Sequence, residues 1–196
     1  MDLLQYIVIF GAIVLLLGAV SYVKETVEGN TKPNRVTWLM WSVAPMIASA
    51  AAFSSGVRWA ALPVFMSGFG PLLVFIASFV NPKSYWKLGR FDYLCGACSI
   101  LALLLWAITK EPIVAILFAI ASDGFAAIPT LVKSWRYPET ETVDAYVAGL
   151  FSAVTSFFAI RYWSVAEFAF PAYLVILDLC LIFAIFRRRF IKTRTV

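Results

Sequence analysis

Seven apolar runs, residues 3–23, 37–55, 57–80, 92–109, 112–132, 143–160 and 163–186, occupy most of the chain and leave room for little besides membrane-crossing helices. A helix needs ~20 mostly apolar residues to span the hydrocarbon core. Lipid offers no hydrogen bonds to an unpaired backbone, so helices are the form such runs take. The chain is 62% hydrophobic and only 14% charged, against about a quarter charged in soluble domains. The segments between runs are too short for a soluble domain. The first run has no basic segment before it and no small-residue cleavage site after it, so it reads as a span and not as a removable leader. The expectation is an all-α membrane protein with seven transmembrane helices.

Basic residues orient it. With seven spans the connections alternate sides, and thirteen of the sixteen lysines and arginines fall on one side. Only Arg58, Lys110 and Arg161 fall on the other. Cytoplasmic loops carry the excess of lysine and arginine, so the amino terminus is expected outside and the carboxyl terminus in the cytoplasm. Six or eight spans would scatter the same charges over both faces. The terminal "FRRRFIKTR" then reads as a stop-transfer anchor with affinity for anionic lipid, and no nucleic-acid partner is expected. The bilayer itself is the expected macromolecular surroundings.

Residue types exclude several chemistries. There is no histidine, which removes the usual zinc-hydrolase and lipid-phosphatase donors. Cys95 and Cys98 form a CxxC without partners to make a metal or redox site, and they read as small helix-packing residues. A retinal Schiff base needs a lysine in the last span, and residues 163–186 contain none. Two mid-span aspartates suggest an aspartyl protease, but "SDGF" and "LDLC" do not supply the usual surroundings of the second acid. No enzyme activity and no cofactor are expected.

The two halves resemble each other. Lys24 ends span one as Lys133 ends span five, and Pro33 follows the first as Pro138 follows the second. Trp41 opens span two as Tyr146 opens span six, and "VRWAA" precedes span three as "RYWSV" precedes span seven. The fourth span has no counterpart and would link two three-helix units of equal orientation, a parallel repeat. The expected division is 1–91 for the first unit, 92–110 for the linker helix, 111–186 for the second unit and 187–196 for a basic cytoplasmic tail.

Chemistry concentrates on two carboxylates. Asp123 lies ten residues before Lys133 and Asp178 nine before Arg187. At ~1.5 Å per residue they sit about 15 and about 13.5 Å from the cytoplasmic ends of their helices, near the midplane. Such residues are costly in lipid and usually face a cavity or a partner. No lysine or arginine lies at that depth, so each is a candidate for reversible protonation; a carboxyl hydrogen-bonded to a neighbouring helix is the plainer reading. Ala115, Ala119, Asp123 and Ala127 form a small-residue face suited to close helix packing. Glu167, Pro171, Leu174 and Asp178 form one stripe on span seven. Trp41 and Tyr146, at matched positions, are candidates to line a shared pocket. Prolines inside spans free carbonyls and bend helices, which makes Pro129 and Pro171 candidate hinges.

"PTLVKSWRYPETETVDAY" resembles the PQ-loop motif, with Pro129 and Thr130 at the Pro-Gln position and Lys133 and Ser134 at the basic and hydroxyl positions. Val20 and Ser21 stand where the first half would carry its Pro-Gln pair, and the spans contain no asparagine of the kind that builds sugar pockets in SWEET proteins. With the three-plus-one-plus-three layout, the chain resembles the SWEET and PQ-loop transporter group. That resemblance implies a small-solute transporter for a sugar, amino acid or similar polar metabolite, coupled to a proton or cation through the midplane aspartates. It gives Pro129, Thr130 and Lys133 the role of hinge and gate. The competing reading is a seven-helix receptor, sensor or scaffold without retinal. Substrate, transport direction and oligomeric state stay open, a homo-oligomer included.

Overall fold

The computed structural model describes residues 3–54, 62–109, 111–160 and 163–192. Arg58, Trp59, Lys110, Arg161 and Arg194, which enter the charge and aromatic expectations, lie outside the described residues. Within them the chain is helical and contains no strand. Seven helices run α1 Leu3–Glu28, α2 Arg35–Ser54, α3 Leu62–Ala77, α4 Arg90–Ile108, α5 Pro112–Arg136, α6 Asp144–Ser156 and α7 Val165–Lys192. Each coincides with one apolar run of the sequence.

The helix ends follow local chemistry and not hydropathy alone. α1 continues past the apolar run to Glu28, with Lys24 and Glu28 paired one turn apart at 3.9 Å. It stops at Gly29, whose φ of +89° suits a residue without a Cβ. The Asn30 amide bonds Glu25 O at 2.9 Å and the Gly29 amide bonds Thr26 O at 3.1 Å, which is the Schellman pattern of helix termination. α2 is capped by buried Asn34, whose Oδ1 accepts from the Val36 and Thr37 amides. α5 begins with Pro112, where a missing N–H costs nothing.

Four helices are long and apolar enough to cross a membrane, over Tyr6–Glu28, Arg90–Ile108, Ile113–Arg136 and Glu167–Arg187, and Val64–Ala77 is a shorter apolar helix. α2 and α6 do not reach that mark. α6 is 13 residues long and ends in a 3₁₀ turn at Phe157–Ala159, short of the expected 143–160. Both are rich in serine and alanine and carry a single leucine each, and both turn out to wall a cavity. Large apolar side chains such as Leu17, Ile108, Leu117 and Ile176 stay more than half exposed, the outward face that lipid would cover.

The packing forms a closed ring. α3 lies against both α1 and α2, α7 against both α5 and α6, and the ring closes through α1 on α6 and α2 on α5. α4 packs outside it, on α5 and α2. Exchanging α1, α2 and α3 for α5, α6 and α7 leaves the six ring pairings unchanged. Small residues permit the closest approach: a Cβ added at Gly11 would meet Thr155 Oγ1 at 2.1 Å, and one at Gly18 would meet Ala148 at 2.3 Å. Ser99 on α4 and Ser122 on α5 exchange hydroxyl-to-carbonyl bonds of 2.7 and 2.9 Å.

The loops 29–34, 78–89 and 137–143 share one end of the bundle and are stitched together. Asn34 Nδ2 donates to Asp92 Oδ1 at 2.7 Å, and Asp92 Oδ2 accepts from the Gly89 amide at the start of α4. Arg35 donates to Ser78 O at 2.7 Å and stacks on Phe79. Asn81 donates to Val27 O at 2.8 Å, Ser84 donates to Thr26 O, and the Lys32 amide bonds Thr140 O at 2.9 Å.

Candidate functional site

Helices of the ring surround a cavity of about 360 Å³. Its lining comes from α1, α2, α3, α5, α6 and α7, that is, from every ring helix and not from α4. By helix position it descends from Val8, Val64, Ser156 and Phe170, near the helix ends away from the stitched loops, to Trp38 and Tyr146 near those loops. Four residues singled out in the sequence meet there: Asp123, Asp178, Trp41 and Tyr146.

The two carboxylates are held differently. Asp123 Oδ2 accepts a 2.9 Å bond from the Tyr173 hydroxyl on α7, and Trp41 Nε1 reaches the Asp123 carbonyl oxygen at 3.4 Å. Asp178 receives no hydrogen bond among the described residues and sits against the backbone of α6. A Cβ built on Gly149 would lie 2.8 Å from Asp178 Oδ2, so the absent side chain at 149 makes the room this carboxylate occupies. The two acids are close enough to interact electrostatically.

Below the acids the cavity ends on a layer of aromatic rings. Trp38 is 3% exposed and Tyr146 2%. Their centroids are 6.5 Å apart, with Tyr22 4.7 Å from Trp38 and Trp41 edge-on to it at 5.3 Å. Under the rings lies a buried charge pair, Lys133 Nζ with Glu141 Oε1. Glu141 Oε2 accepts from the Tyr22 hydroxyl at 2.6 Å and the Tyr146 hydroxyl at 3.0 Å, and Lys133 also donates to Lys32 O. One carboxylate thus joins α1, α5, α6 and the loop 137–143, and its lysine reaches the loop 29–34. A buried pair is sustained only where further hydrogen bonds satisfy both partners, and three such bonds are present.

The remaining expected residues fall in several places. Thr130, in the motif position, is fully buried and donates to Thr37 Oγ1 at 2.9 Å, while Thr37 donates to Ala126 O at 2.7 Å. This chain of hydroxyls ties α5 to α2 one turn around Pro129, which is buried inside a continuous α5. Pro171 lies inside an equally continuous α7. The stripe expected on α7 is only half realised: Leu174 and Asp178 line the cavity with Phe170 and Leu177, whereas Glu167 and Pro171 do not. The cavity face is set by the four- and seven-residue steps from Phe170, which leave Glu167 nearer the helix start. Lys24 and Lys133, set in register by the sequence, also differ: Lys24 is exposed beside Glu28, Lys133 buried beside Glu141.

Sequence reasoning missed Trp38, Tyr22, Tyr173, Gly149 and the reach of Glu141. Trp38 precedes Trp41 by three residues, a helical spacing that puts both on one face; that signal was available. Glu141 reads as part of a charged loop, and nothing local shows that a distant lysine and two tyrosines will bury it. In comparisons with known proteins, no family model, curated protein or solved structure matches the chain.

Proposed function

We propose that this chain is a small-solute membrane transporter whose central cavity is the solute site and whose carboxylates hold a cationic species, either a coupling ion or a charged group of the solute. The observation that carries the reading is a ligand-sized cavity with Asp123 and Asp178 in its wall, ended by the aromatic layer and the Lys133–Glu141 pair. Pockets of about 300–1,000 Å³ hold small molecules, and mid-span acids are functional by default.

The exchange symmetry of the ring supports two three-helix units, 1–91 and 111–186, with α4 as the linker of a seven-span chain. It is the layout implied by the resemblance to the SWEET and PQ-loop group. The basic-residue asymmetry puts the stitched loops in the cytoplasm and the amino terminus outside. On that orientation the cavity reaches toward the outer side, and the layer of Trp38, Tyr22, Tyr146, Lys133 and Glu141 is the closed inner gate. Thr130, beside Pro129, couples the bending helix to the opposite unit.

The test is uptake into proteoliposomes across a panel of sugars, amino acids, nucleosides and organic cations. One class is expected to accumulate with the wild-type chain. Asp178→Asn, correctly folded by its elution profile, is expected to lose that uptake. Uptake indistinguishable from empty liposomes for every class, or undiminished in Asp178→Asn, defeats the reading.

A further inference from the structure

The cavity wall distributes donors and acceptors unequally. Asp123 and Asp178 bring carboxylate oxygens. Ser67 Oγ donates to Val64 O at 2.8 Å and Ser156 Oγ to Ser152 O at 3.0 Å, so these two hydroxyl protons are used within their own helices and only lone pairs are left to offer. The Tyr146 hydroxyl donates to Glu141 and the Trp41 indole to the Asp123 carbonyl. No lysine, arginine or histidine lines the cavity among the described residues. What remains to donate is slight: the Ser152 hydroxyl, since Trp38 Nε1 is buried on the side of Tyr22, which does not line the cavity.

Each ligand class meets this wall differently. An anion, or a zwitterion with its own carboxylate, would enter beside two carboxylates with no cation to receive it, and like charges in low dielectric repel strongly. A sugar's hydroxyls can donate to the carboxylates but bring no positive charge to offset them, and several of its oxygens would face a mostly apolar wall with few donors. Buried polar groups left unpaired are penalised. A protonated amine supplies what the wall lacks, N–H donors carrying positive charge, and Asp178 is a carboxylate without a hydrogen bond. The rest of the surface is aromatic and aliphatic, with Trp38, Trp41 and Phe170 around the acids, and aromatic faces attract cations.

We infer that the cavity binds a protonated organic amine with a compact apolar body, its N–H groups on Asp178 and Asp123 and its body against Trp38, Trp41 and Phe170. This names the ligand of the cavity on which the transport reading rests, but binding does not require transport.

The experiment uses the purified full chain in detergent, with melting temperature and calorimetric titration as readouts. The probes are 2-phenylethylamine and cyclohexylamine, the neutral 2-phenylethanol, the zwitterion phenylalanine, and glucose. A ligand confined to the folded state raises stability by RT ln(1 + [L]/Kd). At least one amine is expected to raise the melting temperature saturably, and the other three to leave it unchanged. Asp178→Asn is expected to weaken the amine at least tenfold. Gly149→Ala, which crowds the same carboxylate from α6, is expected to weaken it similarly and keeps the test open should Asp178→Asn not fold.

Failure of both amines to bind overturns the inference. So does binding of phenylethanol or glucose as tight as that of the amines, or an undiminished affinity in both variants. Uptake by the same preparation in liposomes separates the two readings. An amine that binds and is not carried defeats transport and leaves the inference standing. Glucose or phenylalanine carried while amines are ignored does the reverse.

Discussion

Glu141 is the residue whose replacement the structure makes most consequential. Its side chain is buried against Lys133, Tyr22 and Tyr146. Glu141→Gln keeps the shape but strands the Lys133 ammonium, with Lys32 O as its remaining strong acceptor. Removing one partner of a buried pair costs about 3–5 kcal/mol, because the other charge stays uncompensated. Lys133→Met strands the carboxylate instead and should cost a similar amount. The double change Glu141→Gln with Lys133→Met strands no charge, so its cost is expected to fall well below the sum of the single changes. For a chain of this size, each single change corresponds to a drop of roughly 6–20 °C in melting temperature. Thermal unfolding of the four proteins in one detergent, followed by near-ultraviolet dichroism, completes the cycle. Strictly additive losses, or single variants that melt with the wild type, refute the claim that one charge pair holds these helices together.

Other outcomes follow from individual contacts. Gly18→Ala puts a methyl where Ala148 already sits and should cost about 1–3 kcal/mol by overpacking; an unchanged melting temperature would show that α1 and α6 separate freely. Asn34→Ala removes a helix cap and a partner of Asp92, for a loss of roughly 2–4 kcal/mol from the cap and the stranded acid together, read by thermal unfolding. Pro129→Ala restores the N–H that bonds the preceding turn of α5, so stability should hold or rise while uptake slows; uptake at the wild-type rate removes Pro129 from the hinge.

The seven helices were legible because alternation of apolar runs with short charged segments leaves few other arrangements in a bilayer. The aspartates were legible for the same reason, as charges that stand out against a hydrocarbon background. Trp41 and Tyr146 were found through the correspondence of the halves, although Trp38 is the closer ring neighbour of Tyr146. The floor of the cavity was not readable. Glu141 meets Tyr22 across 119 positions of sequence, and no local pattern distinguishes a buried loop carboxylate from a solvated one. Glycine 149 was equally silent, since its role is to leave space for a residue on another helix.

The order of the ring bears on how the protein is made. α1 is synthesised before the other six helices, yet one of its packing partners is α6, more than a hundred residues later in the chain. Until then the Gly11 and Gly18 face of α1 has no neighbour. A nascent chain halted before α6 therefore lacks one wall of the cavity. Its first helix must wait in the bilayer, in place, for a partner not yet translated.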